Sequence, residues 1–126
     1  VGWTLLVWLW MYFTRIPAMQ NAKIDPQSAA HPGSLSVLPS PVRAVADNYN
    51  HLMEQPTIFY ALAFYLHLTS QADALNVDLA WGYVALRVVH SLVQNTANIV
   101  PLRFLIFSIS TLALFAMVIR AAIGLL

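Results

Sequence analysis

Long apolar runs, interrupted at regular intervals by short polar stretches, set the pattern of this chain. Four membrane-length helices follow from it. The first runs from Val1 to about Met19 and carries Trp3, Trp8 and Trp10, with Arg15 near its end. Such a run is short against the roughly 20 residues a bilayer needs, so the helix is expected to start upstream of Val1. It lacks the basic start and small-residue cleavage site of a signal peptide. Gln20 to Pro41 is polar and holds Pro26, Pro32, Gly33, Pro39 and Pro41, which predicts a loop. His31 is expected there as a solvated residue. A second helix is predicted over Val42 to Ser70, with Ser40 as N-cap, Pro41 at its first position and a local adjustment at the interior Pro56. It would be about 43 Å long, more than the hydrocarbon core of about 30 Å. Its polar first half must therefore leave the bilayer or be buried against other helices. Gln71 to Asp78 reads as a polar connection, Leu79 to Ala97 as the third span and Leu102 to Leu126 as the fourth.

Two of these helices carry polar faces. At about 100° per residue, Arg43, Asp47, Asn50 and Glu54 fall within an arc of roughly 60°. On the third helix Arg87, Ser91, Gln94 and Asn98 share a similar arc, with His90 about 60° to one side. Ionisable groups inside membrane spans are costly and face the bundle interior, where they pair or bind something. A Glu54–Arg87 ion pair that only locks helices is the plainest reading. The set as a whole holds more cations than one carboxylate needs, and that surplus suits an anionic ligand.

Composition agrees with a membrane protein. Of 126 residues, 60% are hydrophobic and only 9% charged, and the mean hydropathy is +0.67. A soluble domain carries about a quarter charged residues. The length suits one small domain, residues 1–126, of all-α class, and a chain of 14 kDa leaves little room to enclose a cavity without partner copies. A net charge of +1 with no basic run excludes a nucleic-acid partner and leaves membrane lipid as the surrounding medium. With no cysteine there is neither a disulfide nor a protein thiolate. Ser91 lies next to His90 but has no acid partner for a triad. Glu54, His51 and His90 lack the second spaced pair of a di-iron bundle, so no metal site is expected. A proton path through Glu54 and His90 stays open, although transport would want broken-helix repeats.

Topology follows from basic residues. Arg15, Lys23 and Arg43 flank the first loop and Arg103 the third, whereas the second holds Asp73 and Asp78. The positive-inside rule places loops one and three in the cytoplasm and both termini outside. Arg120 and His67 are expected as interfacial anchors, and Arg15 is read either as such an anchor or as a group pointing into a ligand site.

The run NYNHLMEQPTIFYAL, Asn48 to Leu62, resembles the second-helix signature of the MAPEG family (membrane-associated proteins in eicosanoid and glutathione metabolism), in particular its bacterial members. ALRVVHSLVQNTANIVPLR, Ala85 to Arg103, resembles that family's second signature. The resemblance implies a four-helix transmembrane bundle assembling as a homotrimer in a membrane, here a bacterial inner membrane. It implies glutathione as co-substrate, bound near the cytoplasmic side between neighbouring subunits. Arg15 matches the family's first-helix arginine, and Glu54 the glutamate that binds the glutathione amino end. Arg87 and His90 match the third-helix Arg-x-x-His. Arg103 matches the arginine proposed to activate the thiolate. Asn50, His51 and Gln94 complete the implied glutathione-binding set. Asp47 and His51 stand where active eicosanoid enzymes have an arginine and an asparagine, and Gln94 where a tyrosine is frequent. The function implied is a glutathione-dependent transferase or peroxidase acting on lipophilic electrophiles. The alternative is a non-catalytic subunit of the same fold within a larger membrane complex.

Overall fold

A computed structural model describes residues 1–31 and 33–125. Pro32, expected in the first loop, and Leu126, expected to end the fourth span, lie outside the described residues. These residues form five α-helices and one 3₁₀ turn, with no strand among them: α1 (Gly2–Asn21), the 3₁₀ turn Pro26–Ala29, α2 (Ser40–Leu52), α3 (Gln55–Leu68), α4 (Ala74–Asn95) and α5 (Val100–Ile123). The chain divides into two compact units, Val1–Leu52 and Met53–Leu126.

In the first unit α1 packs on α2. Val7 and Met11, one turn apart on α1, bury themselves with Val45, Ala46 and Leu52 of α2. Trp3, Trp10 and Tyr49 close around them. Asp25 caps the 3₁₀ turn by accepting the Gln27 N–H at 3.0 Å. In the second unit α4 and α5 form the principal packed pair, and α3 rests on α5. Phe59 and Leu66 of α3 meet Tyr83 of α4 and Leu114, Met117 and Ala121 of α5. Phe59 stacks on Tyr83 with ring centroids 4.5 Å apart.

Large apolar side chains are exposed in greater number than they are buried. Trp81, Phe104 and Phe64 stand out by about 70% each (70%, 71% and 68%). Water would penalise such a surface at about 25 cal/mol per Å², whereas lipid does not. Among the described residues α5 is the one helix long and apolar enough to cross a membrane by length and composition.

The second predicted helix is two helices. Met53 and Glu54 separate α2 from α3, and Glu54 leaves helical geometry with φ −86° and ψ −100°. Pro56 has no N–H to give the Leu52 carbonyl, and its ring would collide with that carbonyl in a continuous helix. Placed instead in the first turn of α3, it costs nothing there. The Thr57 hydroxyl seals the break by donating to the Glu54 carbonyl at 2.6 Å. Helix α2 also starts a residue early: the Arg43 N–H bonds the Pro39 carbonyl, so Pro39 holds the cap position expected for Ser40. Helix α4 begins at Ala74, inside the predicted connection, because the Asp73 carboxylate accepts the Asn76 N–H at 2.9 Å.

Two helices end in left-handed residues without glycine. Lys23 (φ 52°) and Ser70 (φ 58°) follow α1 and α3, and each closes a pair of backbone bonds back into its helix.

Candidate functional site

Helix α4 buries a face that is polar almost throughout. Tyr83, Arg87, His90, Ser91, Gln94 and Asn95 are all buried on it, while Trp81, Val89 and Leu92 face outward. This inverts the soluble pattern and matches the period of 3.6, since 83, 87, 90, 91 and 94 fall on one side. Arg87 is only 4% exposed. Its guanidinium carbon lies 5.2 Å from the centroid of the Phe107 ring of α5, a cation–π distance. His90 approaches the same ring at 6.0 Å between centroids. Phe107 thus lies against both side chains of the Arg-x-x-His motif. Ser110, fully buried one turn on, donates to the Phe107 carbonyl at 2.7 Å.

Glu54 sits exposed at the start of α3, in the break that Pro56 creates. Tyr83 lies one turn before Arg87 on the buried face of α4. The Tyr83 hydroxyl donates to the Gln55 side-chain oxygen at 3.4 Å, and the Gln55 amide donates to Thr111 of α5 at 3.0 Å. A polar thread therefore runs from Tyr83 of α4 through Gln55 of α3 to Thr111 of α5. Arg103 is half-buried in the first turn of α5 and donates from Nη1 to the Asn98 side chain. Asn98 presents that oxygen from a left-handed backbone at φ 49°. Asn95 is 8% exposed, and neither polar atom of its amide has a hydrogen-bond partner among the described residues.

Of the eight expected site residues, Glu54, Arg87, His90, Gln94 and Arg103 belong to the second unit and Arg15, Asn50 and His51 to the first. The structure brings Arg87, His90 and Gln94 onto one buried face, and Glu54 stands exposed at the start of α3. In the first unit Arg15 and Asn50 line one cavity of about 560 Å³, together with His31, Arg43 and Asp47. His51 is half-buried and does not line it. His31 and Arg43, expected as solvated, stay exposed at the cavity wall. No group of three or more metal-ligating side chains occurs among the described residues.

Sequence reasoning missed Tyr83, Gln55 and Phe107. Tyr83 had a signal, four residues before Arg87 on the same face. Phe107 had none: it is one apolar residue in an apolar helix.

This arrangement can hold an anion. A buried guanidinium is already charged, so an acidic group reaching it gains a charge-assisted bond without a proton transfer. The Glu54 carboxylate supplies the complementary acceptor for an ammonium group.

Among known protein families, the MAPEG family model matches residues 1–123, nearly the whole chain, and the chain belongs to that family. No curated protein and no solved structure matches it.

Proposed function

We propose that this MAPEG-family membrane protein binds glutathione as co-substrate and adds it to lipophilic electrophiles, as a transferase or peroxidase. The observation that carries the reading is the buried polar face of α4, with Arg87 held against Phe107. In this reading Arg87, His90 and Gln94, with Arg15, Asn50 and His51, hold the carboxylates and peptide groups of glutathione. Glu54 takes its ammonium group. Arg103 stabilises the thiolate, since a nearby cation lowers a thiol pKa. The thiol proton leaves to solvent, and the thiolate sulfur attacks the electrophile. At a carbon bearing a leaving group, that group departs with its electron pair; at an activated double bond, the displaced π pair takes a proton from solvent; at a hydroperoxide, the sulfur takes the outer oxygen as the O–O bond breaks, the alkoxide takes a proton, and a second glutathione displaces water from that sulfur to give the disulfide. Asn98 fixes the Arg103 guanidinium by accepting from Nη1, which leaves Nη2 for the sulfur. The electrophile arrives through the lipid, against which the apolar outer faces stand.

We further propose four spans, a homotrimer completing the site between subunits, and an inner-membrane topology with loops one and three in the cytoplasm. The apolar outer faces, with Trp81, Phe104 and Phe64 standing out, support a setting in lipid.

Calorimetry of glutathione binding to the purified protein, with Arg103→Ala and Glu54→Gln alongside, tests the assignment. Wild type should bind, Glu54→Gln should bind more weakly, and Arg103→Ala should bind without forming thiolate at neutral pH. Silence at millimolar glutathione removes the enzymatic reading. Asp47, exposed beside Arg15 in the first unit's cavity, favours a second reading in which the chain is a non-catalytic subunit. Reproducible co-purification with a fixed membrane complex, without glutathione binding, would select it.

A further inference from the structure

The opposite end of α4 holds a second composite site. Arg120 near the end of α5 donates from Nε to the Asn76 side-chain oxygen at 2.9 Å and from Nη2 to Asp73 at 2.5 Å. Two partners fix the guanidinium, and Nη1 has no hydrogen-bond partner among the described residues. Arg120 lines a cavity of about 310 Å³ with Ser70, Gln71, Asp73 and Ile123. Next to it lies an apolar cavity of about 260 Å³, walled by Phe59, Ala63 and Leu66 of α3, Ala80 and Trp81 of α4 and Met117 of α5. Asn76 lines both. The small side chains of Ala63 and Ala80 leave the apolar space, which runs along about 10 Å of α3 between Phe59 and Leu66.

We infer that these adjoining cavities bind one glycerophospholipid, its phosphate on Arg120 and one acyl chain between α3 and α4. The chemistry is matched at both ends. A phosphate oxygen takes the open side of a guanidinium already held in place, so little side-chain entropy is lost. Asp73 stands 54% exposed beside it. A headgroup with a primary ammonium pairs with that carboxylate, whereas a second anion meets repulsion, so phosphatidylethanolamine should be preferred to phosphatidylglycerol. The apolar cavity follows α3 for about 10 Å, a length that an extended stretch of acyl chain can fill. Arg120 therefore acts as a headgroup clamp, beyond its role as a surface anchor. None of these residues belongs to the glutathione set, so this site stands or falls independently of it.

Thermal unfolding of the full chain in detergent, titrated with phosphatidylethanolamine, tests this. Phosphatidylethanolamine should stabilise wild type, and Arg120→Gln should weaken its apparent affinity about tenfold, the loss of one charge-assisted bond. Ala63→Phe should block the acyl cavity and abolish the shift while leaving glutathione binding unchanged. Monoolein, which has an acyl chain without phosphate, and soluble phosphoethanolamine, which has the headgroup alone, should each fail to reproduce it. An equal shift with monoolein overturns the clamp, and an equal shift with phosphoethanolamine shows a free phosphate site instead. An undiminished response in both variants overturns the proposal outright. If either variant does not fold, bound phosphorus in purified wild type decides: less than one lipid per chain after detergent exchange contradicts it. A change in oligomeric mass in Ala63→Phe, without loss of lipid, assigns the cavity to a second copy of the chain.

Discussion

Helices α4 and α5 have nearly the same length and pack on each other, yet they bury opposite chemistries. Helix α5 hides Ile106, Leu114, Met117 and Ala121, with Ser110 the polar residue on that face. Helix α4 hides an arginine, a histidine, a glutamine, an asparagine, a serine and a tyrosine within four turns. Outside, both present apolar side chains. Packing alone is satisfied by the α5 pattern. The polar face of α4 carries a desolvation cost that apolar residues of similar volume would avoid. Its retention is the physical reason to read it as a site.

Four substitutions break or sharpen this contrast. Arg87→Ala truncates the buried centre of the α4 face and opens a cavity against Phe107, so we expect a loss of about 2–5 kcal/mol in thermal unfolding. On the α5 side, Ser110→Leu overfills a fully buried position and should cost about 1–3 kcal/mol. Asp73→Ala should cost about 1 kcal/mol by removing the α4 N-cap, and helical content by circular dichroism should fall slightly with it. Tyr83→Phe keeps the stack on Phe59 and loses only a long hydrogen bond, while Gln55 keeps Thr111. A change of about 0.5 kcal/mol or less is expected in the same unfolding measurement. Equal losses for Arg87→Ala and Ser110→Leu would mean that the two faces do the same structural work.

The α4 face was legible because Arg87, Ser91 and Gln94 keep helical spacing in an apolar run. The break at Met53–Glu54 was half legible. Pro56 announced a disturbance, but a proline serves equally as a kink or as a first-turn residue, and only the packed structure selects the second. The start of α4 was missed because Gln71 to Asp78 is polar, and polarity hid the capping role of Asp73. Phe107 and the tie from Arg120 to Asp73 and Asn76 join residues 44 and 47 apart in the second case, and no local pattern encodes such pairs. His31, Arg43 and Asp47 meet Arg15 in a cavity for the same reason.

The most direct test of the α4 face as a ligand site is the glutathione-dependent shift in unfolding temperature of Arg87→Met against wild type. Methionine keeps most of the volume and removes the charge, so the variant can fold while losing its anion partner. A ligand that binds only the folded state raises stability with its concentration. We expect millimolar glutathione to raise the unfolding temperature of wild type and to leave Arg87→Met unmoved. An equal shift in both proteins, or none in wild type, would contradict the assignment and leave the buried polar face of α4 as a lock between helices.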